Sequence, residues 1–174
     1  MWSIALVVSL LAPAGLAPPS SPSCLLVPVA APVVDPFRAP ACEWCPGNRG
    51  LQYGAAPGTV VRAAAAGVVS FAGVVAGTRY VVVDHAAGGL RATYGDLAVS
   101  ALAVGDVVAA GAVVGRVGDS GLHFGLRRGE TYVDPAPLLG RLVERPRLVP
   151  TDGTPRRPAP PPRLRCVGTV VAAR

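Results

Sequence analysis

The stretch "YVVVDHAAGGLRATY", residues 80–94, decides the fold class of this chain. It places β-branched and aromatic residues on either side of a short Gly-rich connection, which is typical of two antiparallel strands joined by a turn. We predict strands over Arg79–Asp84 and Leu90–Tyr94. The segment is therefore a β-hairpin beside which neighbouring strands can pair.

The sequence on both sides of this hairpin continues in short apolar runs separated by glycine. Val60–Ala63 and Val68–Phe71 precede it, and "VSALAVGDVVAAGAVVGRVG", residues 99–118, follows it. Such spacing suits a small curved sheet whose strands change direction at glycines. No amphipathic helical periodicity is present, and 174 residues with 51% hydrophobic content can bury one core. We therefore predict one compact, antiparallel, all-β domain over residues 37–140.

The first residues are typical of a secretory signal peptide. An apolar run of 14 residues, Ile4–Ala17, ends in small residues and is too short to cross the ~30 Å hydrocarbon core of a bilayer. We predict that residues 1–17 are a signal peptide and that residues 18–36 are a linker and first strand. The chain is then secreted to the cell envelope without a transmembrane span. A buried N-terminal strand is the alternative, although the run is long for a strand.

Positive charge is concentrated at the other end of the chain. The net charge of +6 equals the excess in residues 141–174, which hold eight Arg against Glu144 and Asp152. We predict that this Pro-rich segment is a flexible tail without a ladder of backbone hydrogen bonds. Its charge favours an anionic cell wall or membrane face, with a merely solvated tail as the alternative. Because no aromatic side chain is interleaved with the arginines, nucleic acid is not expected as a partner.

The four cysteines suit an exported chain in an oxidising compartment, because their number is even. Cys42 and Cys45 have the C-x-x-C spacing of redox and zinc motifs, but a second C-x-x-C is missing. We predict structural disulfides among Cys24, Cys42, Cys45 and Cys166, with all three connectivities open. A zinc site made of Cys42, Cys45 and His123 is the alternative.

Three segments, taken in order, resemble the lysostaphin/LytM-type zinc metalloendopeptidases. They are "NRGLQYGAAPGTVVRAAAAGVVSFAG", "YVVVDHAAGGLRATYGDL" and "VGDVVAAGAVVGRVGDSGLHFGLRRGETYVDP", residues 48–73, 80–97 and 104–135. The resemblance extends over residues 28–140 and is strongest to small exported members from actinobacteria, which the absence of lysine also fits. It implies a β domain of the duplicated hybrid motif, or barrel-sandwich, type. It also implies that the family's substrate is a peptide of bacterial peptidoglycan.

In the resembling family, an H-x-x-x-D motif and the last histidine of an H-x-H motif hold zinc, while two further histidines handle protons. The metal positions fall here on Asn48, Gln52 and His123, and the proton-handling positions fall on Gly121 and Asp96. Neutral amide oxygens are poor substitutes for imidazole and carboxylate around a divalent ion. We therefore expect no zinc cofactor and no catalytic residue. An ordinary hydrogen-bonded strand histidine is the alternative for His123.

The glycine frame around these positions follows the family pattern, so we expect the backbone of the site to be preserved. Asn48→His with Gln52→Asp would then complete a zinc site with His123. Gly121→His, which proton transfer also needs, is at risk if this glycine has a backbone angle closed to other residues.

These features predict an exported, peptidoglycan-associated protein that is catalytically inactive and binds wall peptide or regulates another wall hydrolase. An active or weakly active zinc metalloendopeptidase that cleaves peptidoglycan peptides is the alternative. Large residues next to the motif positions are candidates for a peptide-binding groove, with ordinary strand packing as their alternative. They are Arg49, Tyr53, Tyr94 and Phe124.

Overall fold

The structure, a computed structural model, describes residues 24–42, 44–85, 87–143, 158 and 163–166. The signal peptide predicted for residues 1–17 lies outside the described residues. No helix in the described part of the chain is long and apolar enough to span a bilayer. The only helical segments described there are two three-residue 3₁₀ turns, Ala87–Gly89 and Ala136–Leu138.

Fourteen strands make up the described part of the chain, so the prediction of an all-β fold is confirmed. The strands are β1 (Leu25–Leu26), β2 (Val33–Asp35), β3 (Gly50–Tyr53), β4 (Val60–Arg62), β5 (Gly67–Val75), β6 (Thr78–His85), β7 (Leu90–Gly95), β8 (Leu97–Val99), β9 (Val107–Val108), β10 (Val113–Val117), β11 (Leu122–Arg128), β12 (Thr131–Val133), β13 (Leu139–Val143) and β14 (Arg163–Cys166).

These strands form three sheets, of which the largest carries the predicted site. Its order is β2-β3-β11-β7-β6-β5-β9, with β12 paired to β11 as the eighth strand. A second sheet has the order β4-β10-β8, and a third has the order β1-β13-β14. Among the described strands every pairing is antiparallel except that of β1 with β13.

The hairpin predicted over residues 80–94 is present as β6 and β7. Its register pairs Val81 with Tyr94 and His85 with Leu90. The preceding connection is shorter than the sequence indicated, because β5 continues as far as Val75. Ala76 and Gly77 alone make the turn, with φ of 49° and 84°. Two consecutive positive φ angles give the twist that a two-residue hairpin needs.

One apolar core is shared by the large sheet and the β4-β10-β8 sheet. Tyr94 lies at its centre, with its ring centroid 5.3 Å from that of Phe124. The Tyr94 hydroxyl accepts a hydrogen bond of 2.7 Å from the backbone N–H of Ala64, just beyond β4. This bond satisfies the buried hydroxyl and links the two sheets. Burial raises the pKa of Tyr94 far above its ordinary value.

The prediction of a tail without a backbone ladder is wrong for its last described residues. β14 pairs with β13, with Gly140 opposite Cys166 and Val143 opposite Arg163. The boundary predicted at residue 140 therefore falls inside a strand. Two physical reasons explain the difference. The segment Arg163–Cys166 contains no proline, and a disulfide joins Cys166 to Cys24, directly before β1 on the other edge of β13.

Candidate functional site

Cross-strand register brings most of the motif positions onto one face of the large sheet. On β11, His123 lies opposite Gln52 of β3 on one side and opposite Gly95 of β7 on the other. Residues directly opposite each other in an antiparallel sheet present their side chains on the same face. Gln52, His123 and the end of β7 that precedes Asp96 therefore form one row across three strands.

Asn48 lies just before β3. Its side chain forms hydrogen bonds with backbone groups at and just after the end of β2 and at the first residue of β3. Its Nδ2 donates to the carbonyl oxygens of Asp35, at 3.2 Å, and of Pro36, at 3.0 Å. Its Oδ1 accepts a hydrogen bond of 3.3 Å from the N–H of Gly50. The residue is buried, at 8% exposure. Asn48 thus joins the segment after β2 to the start of β3, and its amide oxygen is already in use.

Gln52 is held in place by a neighbouring turn. Its Nε2 donates a 2.9 Å hydrogen bond to the carbonyl oxygen of Ser120. Ser120 comes directly before Gly121, which has a positive φ of 84°. A Cβ at Gly121 would collide with the carbonyl oxygen of Tyr53. The turn that Gln52 supports is therefore one that only glycine fits.

The expectation that the backbone of the site is preserved stays a prediction, and this geometry shows what restoring the motif residues would cost. Gly121→His would combine a strained φ with a backbone collision, so the histidine of the H-x-H motif has no place in this turn. Asn48→His would also break three hydrogen bonds to backbone groups. Restoring the motif residues would therefore require the backbone at Gly121 to move and the contacts of Asn48 to be replaced.

His123 and Asp96 line a small cleft on this face. Burial lowers the pKa of His123 from its ordinary value of 6.5, and the charge of Asp96 opposes that shift. The imidazole is therefore neutral at neutral pH. A Cβ on Gly125 would lie 3.5 Å from His123 Nε2, so the imidazole ring leans over Gly125. Asp96 is a non-glycine residue at positive φ, 61°, and its carbonyl accepts a 2.7 Å hydrogen bond from the N–H of Gly118.

The inner cleft, as we call it, has a volume of about 350 Å³. Its floor comes from β7 and β11 and its walls from neighbouring segments. The lining residues are Arg49, Tyr80, Thr93, Asp96, His123, Gly125, Arg127 and Tyr132. Of the four peptide-binding candidates, only Arg49 lines this cleft.

The other three candidates, Tyr53, Tyr94 and Phe124, are wrong as groove residues. Each is exposed by 2% or less and packs in the core. The reason is the two-residue alternation of a strand. Phe124 follows His123, which lines the cleft, and Tyr53 follows Gln52, which lies opposite His123 on the same face of the sheet, so both aromatic side chains point to the opposite face. Burial raises the pKa of Tyr53 to about 12.

The aromatic residues that do line the inner cleft were missed by the sequence analysis. Tyr80 lies over Gly95, since a Cβ at that glycine would meet the Tyr80 ring at 2.6 Å. Tyr132 comes from β12, which pairs with the outer end of β11 and places Tyr132 opposite Arg127. Side chains alternate between the two faces of β6 and of β12, and this alternation could have identified both tyrosines. It can be used only when the buried face of each strand is known.

The described residues do not fit a zinc ion of the family's type. The Asn48 and Gln52 amides are neutral, and both bond to backbone groups. The alternative site is also unsuitable because Cys42 and Cys45 form a disulfide and offer no thiolate. His123 remains as a metal-binding side chain without the partners that a structural or catalytic zinc needs. No cluster of three His, Cys, Asp or Glu side chains occurs within the described ranges.

The chain is similar to proteins whose matches extend over most of this β domain. The uncharacterised protein Rv2891 of Mycobacterium tuberculosis is 39% identical over 119 residues, covering 62% of this chain and 47% of that protein. Among solved structures, Csd3 of Helicobacter pylori is 29% identical with a TM-score of 0.58, covering 67% of this chain and 35% of that one. A putative peptidase M23 from Pseudomonas aeruginosa is 29% identical with a TM-score of 0.56, covering 70% of this chain and 51% of that one.

The chain spans less than half the length of the mycobacterial relative. The sequence profile of Peptidase family M23 matches residues 46–135, which is just over half of the 174 residues. These matched residues contain β3 to β12 and hence the whole large sheet except β2. The chain therefore belongs to peptidase family M23, in agreement with its resemblance to the lysostaphin/LytM-type enzymes.

Proposed function

We propose that this protein is an exported, catalytically inactive member of its family that binds a peptide of the cell-wall peptidoglycan. The observation that carries the proposal is the use of the motif positions for structure. Asn48 and Gln52 bond to backbone carbonyls, and Gly121 forms a turn closed to other residues. These positions hold neighbouring backbone segments together and do not supply the groups that peptide hydrolysis requires.

The inner cleft has the chemistry to hold a short peptide segment. A neutral imidazole, a carboxyl group and a threonine hydroxyl, from His123, Asp96 and Thr93, offer polar contacts to amide groups. Gly125 keeps the cleft floor free of a side chain. The volume of about 350 Å³ is within the range of small ligand sites. Family membership supports peptidoglycan peptide as the ligand, and regulation of a wall hydrolase would use the same binding.

The test is binding of the purified full chain to insoluble peptidoglycan, measured by cosedimentation, with soluble stem peptide as competitor. Thr93→Gln fills the cleft and is expected to weaken binding by about tenfold. Thr78→Gln is the matched control, because Thr78 lies on β6 outside the cleft. Equal binding by both variants, or no competition by stem peptide, contradicts the proposal.

The alternative function is a weakly active zinc peptidase, and the retained His123 is the observation in its favour. Incubating the purified full chain with insoluble peptidoglycan also distinguishes the inactive binding protein from the zinc peptidase. We expect no release of soluble peptide from peptidoglycan, with or without added zinc. Zinc-dependent release that His123→Ala abolishes would establish the alternative instead.

A further inference from the structure

A second, larger cleft lies beside the inner one. This outer cleft has a volume of about 1010 Å³ and is lined by Ala39, Pro40, Cys42, Trp44, Arg49, Arg127, Glu130, Thr131 and Tyr132. Arg49, Arg127 and Tyr132 line both clefts and form the boundary between them. The outer cleft contains none of the motif positions of the family.

Trp44 is the most unusual residue of the outer cleft. It is 88% exposed, although tryptophan is normally well buried. The loop that carries it is closed by the Cys42–Cys45 disulfide and by a 3.1 Å hydrogen bond from the N–H of Cys45 to the carbonyl of Cys42. A loop fixed in this way presents the indole at low entropic cost. An exposed, preorganised aromatic face is suited to stacking against a rigid ring.

The opposite part of the cleft carries positive charge stacked on an aromatic ring. The guanidinium carbons of Arg127 and Arg49 lie 4.6 Å and 5.5 Å from the centroid of Tyr132. Arg127 donates from one terminal nitrogen to Glu130 Oε2 at 3.0 Å, but the Glu130 side chain is 88% exposed, so this pair is weak. Among the described residues no acceptor reaches the buried Nε of Arg127.

We propose that the outer cleft binds an acidic sugar of the wall polymer, with the sugar ring stacked on Trp44 and its carboxylate on Arg127. The charges described in the lining, two arginines against Glu130, complement an anion. A guanidinium also recognises a carboxylate through two parallel hydrogen bonds, and Nε is one of the donors for that geometry. A rigid pyranose ring loses less conformational entropy on stacking against the exposed indole than a flexible peptide does.

This inference rests on the proposed association with peptidoglycan and adds a glycan contact to its peptide contact. In that polymer the peptide is attached through the lactyl carboxylate, so a free carboxylate occurs on sugar units that carry no peptide, and the two clefts bind different units of the same strand. Two weak contacts on one ligand reinforce each other through effective concentration.

The fluorescence of Trp44 can be used to measure binding in the outer cleft. The chain has two tryptophans, Trp2 and Trp44, so full-length protein with Trp2→Phe has a single indole, in the outer cleft. Its fluorescence is titrated with three soluble probes. They are the disaccharide of N-acetylglucosamine and N-acetylmuramic acid with a free lactyl carboxylate, the neutral disaccharide of N-acetylglucosamine, and a stem peptide without sugar. We expect a saturable change with the acidic disaccharide, about tenfold weaker binding of the neutral one, and no change with the peptide.

Arginine variants separate charge recognition from folding. Arg127→Gln is expected to remove the preference for the acidic over the neutral disaccharide. Arg128→Gln is the matched control, because Arg128 is the exposed neighbour on the same strand and does not line the cleft. Trp44→Ala, with binding measured by calorimetry, is expected to weaken the acidic disaccharide by about tenfold.

The inference is overturned if no saturable sugar binding is found, if the stem peptide alone changes Trp44 fluorescence as strongly, or if Arg127→Gln and Arg128→Gln behave alike. A different result would contradict the proposed function. Sugar binding together with peptidoglycan binding that is insensitive to Thr93→Gln would support the outer cleft and contradict the peptide site. The reverse result would contradict the outer cleft alone.

Discussion

Asn48, which the resemblance places at a metal-ligand position of the family, bonds to backbone groups in this chain. Its three hydrogen bonds are to the carbonyls of Asp35 and Pro36 and to the N–H of Gly50. Gln52, at the second position, makes one described hydrogen bond, to the carbonyl of Ser120. A buried amide with three backbone partners stabilises a fold more than a partly exposed amide with one partner.

Replacing these two amides measures their structural roles. Asn48→Ala leaves the buried N–H of Gly50 and the less buried carbonyls of Asp35 and Pro36 without this partner, so we expect the free energy of unfolding to fall by about 1 to 3 kcal/mol. Gln52→Ala serves as the comparison and is expected to cost less than about 1 kcal/mol. Urea denaturation of both variants checks the difference. A loss at Gln52 equal to or larger than that at Asn48 would contradict the structural role assigned to Asn48.

His85 gives the fold a dependence on pH. It is 3% exposed, and its Nδ1 lies 3.1 Å from the carbonyl oxygen of Ala66. Burial lowers its pKa below the ordinary 6.5, against the opposing effects of the Ala66 carbonyl and Asp84. The unfolded chain therefore takes up a proton as pH falls through 6.5, while the folded chain resists it. The contribution of neutral His85 to the free energy of unfolding is therefore fully present above pH 6.5 and declines as the pH falls below it.

Measuring the free energy of unfolding between about pH 7.5 and about pH 5.5 tests whether stability falls as the pH falls. His123 shifts in the same direction, so both histidines contribute. Each contributes at most about 1.4 kcal/mol per pH unit. His85→Asn keeps a donor for the Ala66 carbonyl but does not titrate, so its stability should fall less steeply than that of the wild type. A steeper fall in the variant would mean that His85 is protonated in the folded protein.

At the scale of single residues, sequence alone could have separated core from cleft more fully than it did. Once His123 is placed on the cleft face of its strand, alternation puts Phe124 in the core, and the same argument applies to Tyr53 beside Gln52. The positive φ of Gly121 could not be predicted in this way. It depends on the approach of the Tyr53 carbonyl, which belongs to a strand far away in sequence.

At the scale of strands, the parts that could be predicted are those formed by local sequence. The β6–β7 hairpin follows from two runs of β-branched and aromatic residues on either side of a glycine pair. The pairing of β13 with β1 on one edge and with β14 on the other brings together residues 142 apart at the disulfide, and no local pattern specifies such a contact. Four cysteines allowed three connectivities, and only the fold selects one.

The two disulfides should differ strongly in their effect on stability. Cys24–Cys166 closes a separation of 142 residues, whereas Cys42–Cys45 closes a separation of three. In the chain-entropy account, Cys24→Ser with Cys166→Ser lowers the free energy of unfolding by up to about 5 kcal/mol. Cys42→Ser with Cys45→Ser lowers it by about 2 kcal/mol. Guanidinium denaturation of both double variants checks the order, and the reverse order would contradict the arrangement of β1, β13 and β14.

At the scale of the whole molecule, the excess positive charge after residue 140 should assist attachment to an anionic wall. Exposed charges are screened at high ionic strength. Binding to isolated walls should therefore weaken in about 0.5 M salt, where the Debye length is about 4 Å. Deletion of residues 141–174 is unsuitable as a test, because it would also remove β14 and Cys166.

Arg156→Gln with Arg157→Gln removes two tail charges and leaves β14 unchanged. We expect weaker wall binding at low salt and a smaller effect of added salt. Arg62→Gln with Arg116→Gln, two exposed arginines of the β domain, is the control for charge alone. Cosedimentation that falls equally in both double variants would place the attachment in net charge and not in the tail.

We propose that structural contacts replace the family's metal site in this molecule. The direct measurement is elemental analysis of the purified full chain after incubation with zinc and exhaustive dialysis. Because Asn48 and Gln52 bond to backbone groups and the cysteines are paired, we expect far less than one zinc per chain. A value close to one zinc per chain, lost on His123→Ala, would contradict the account.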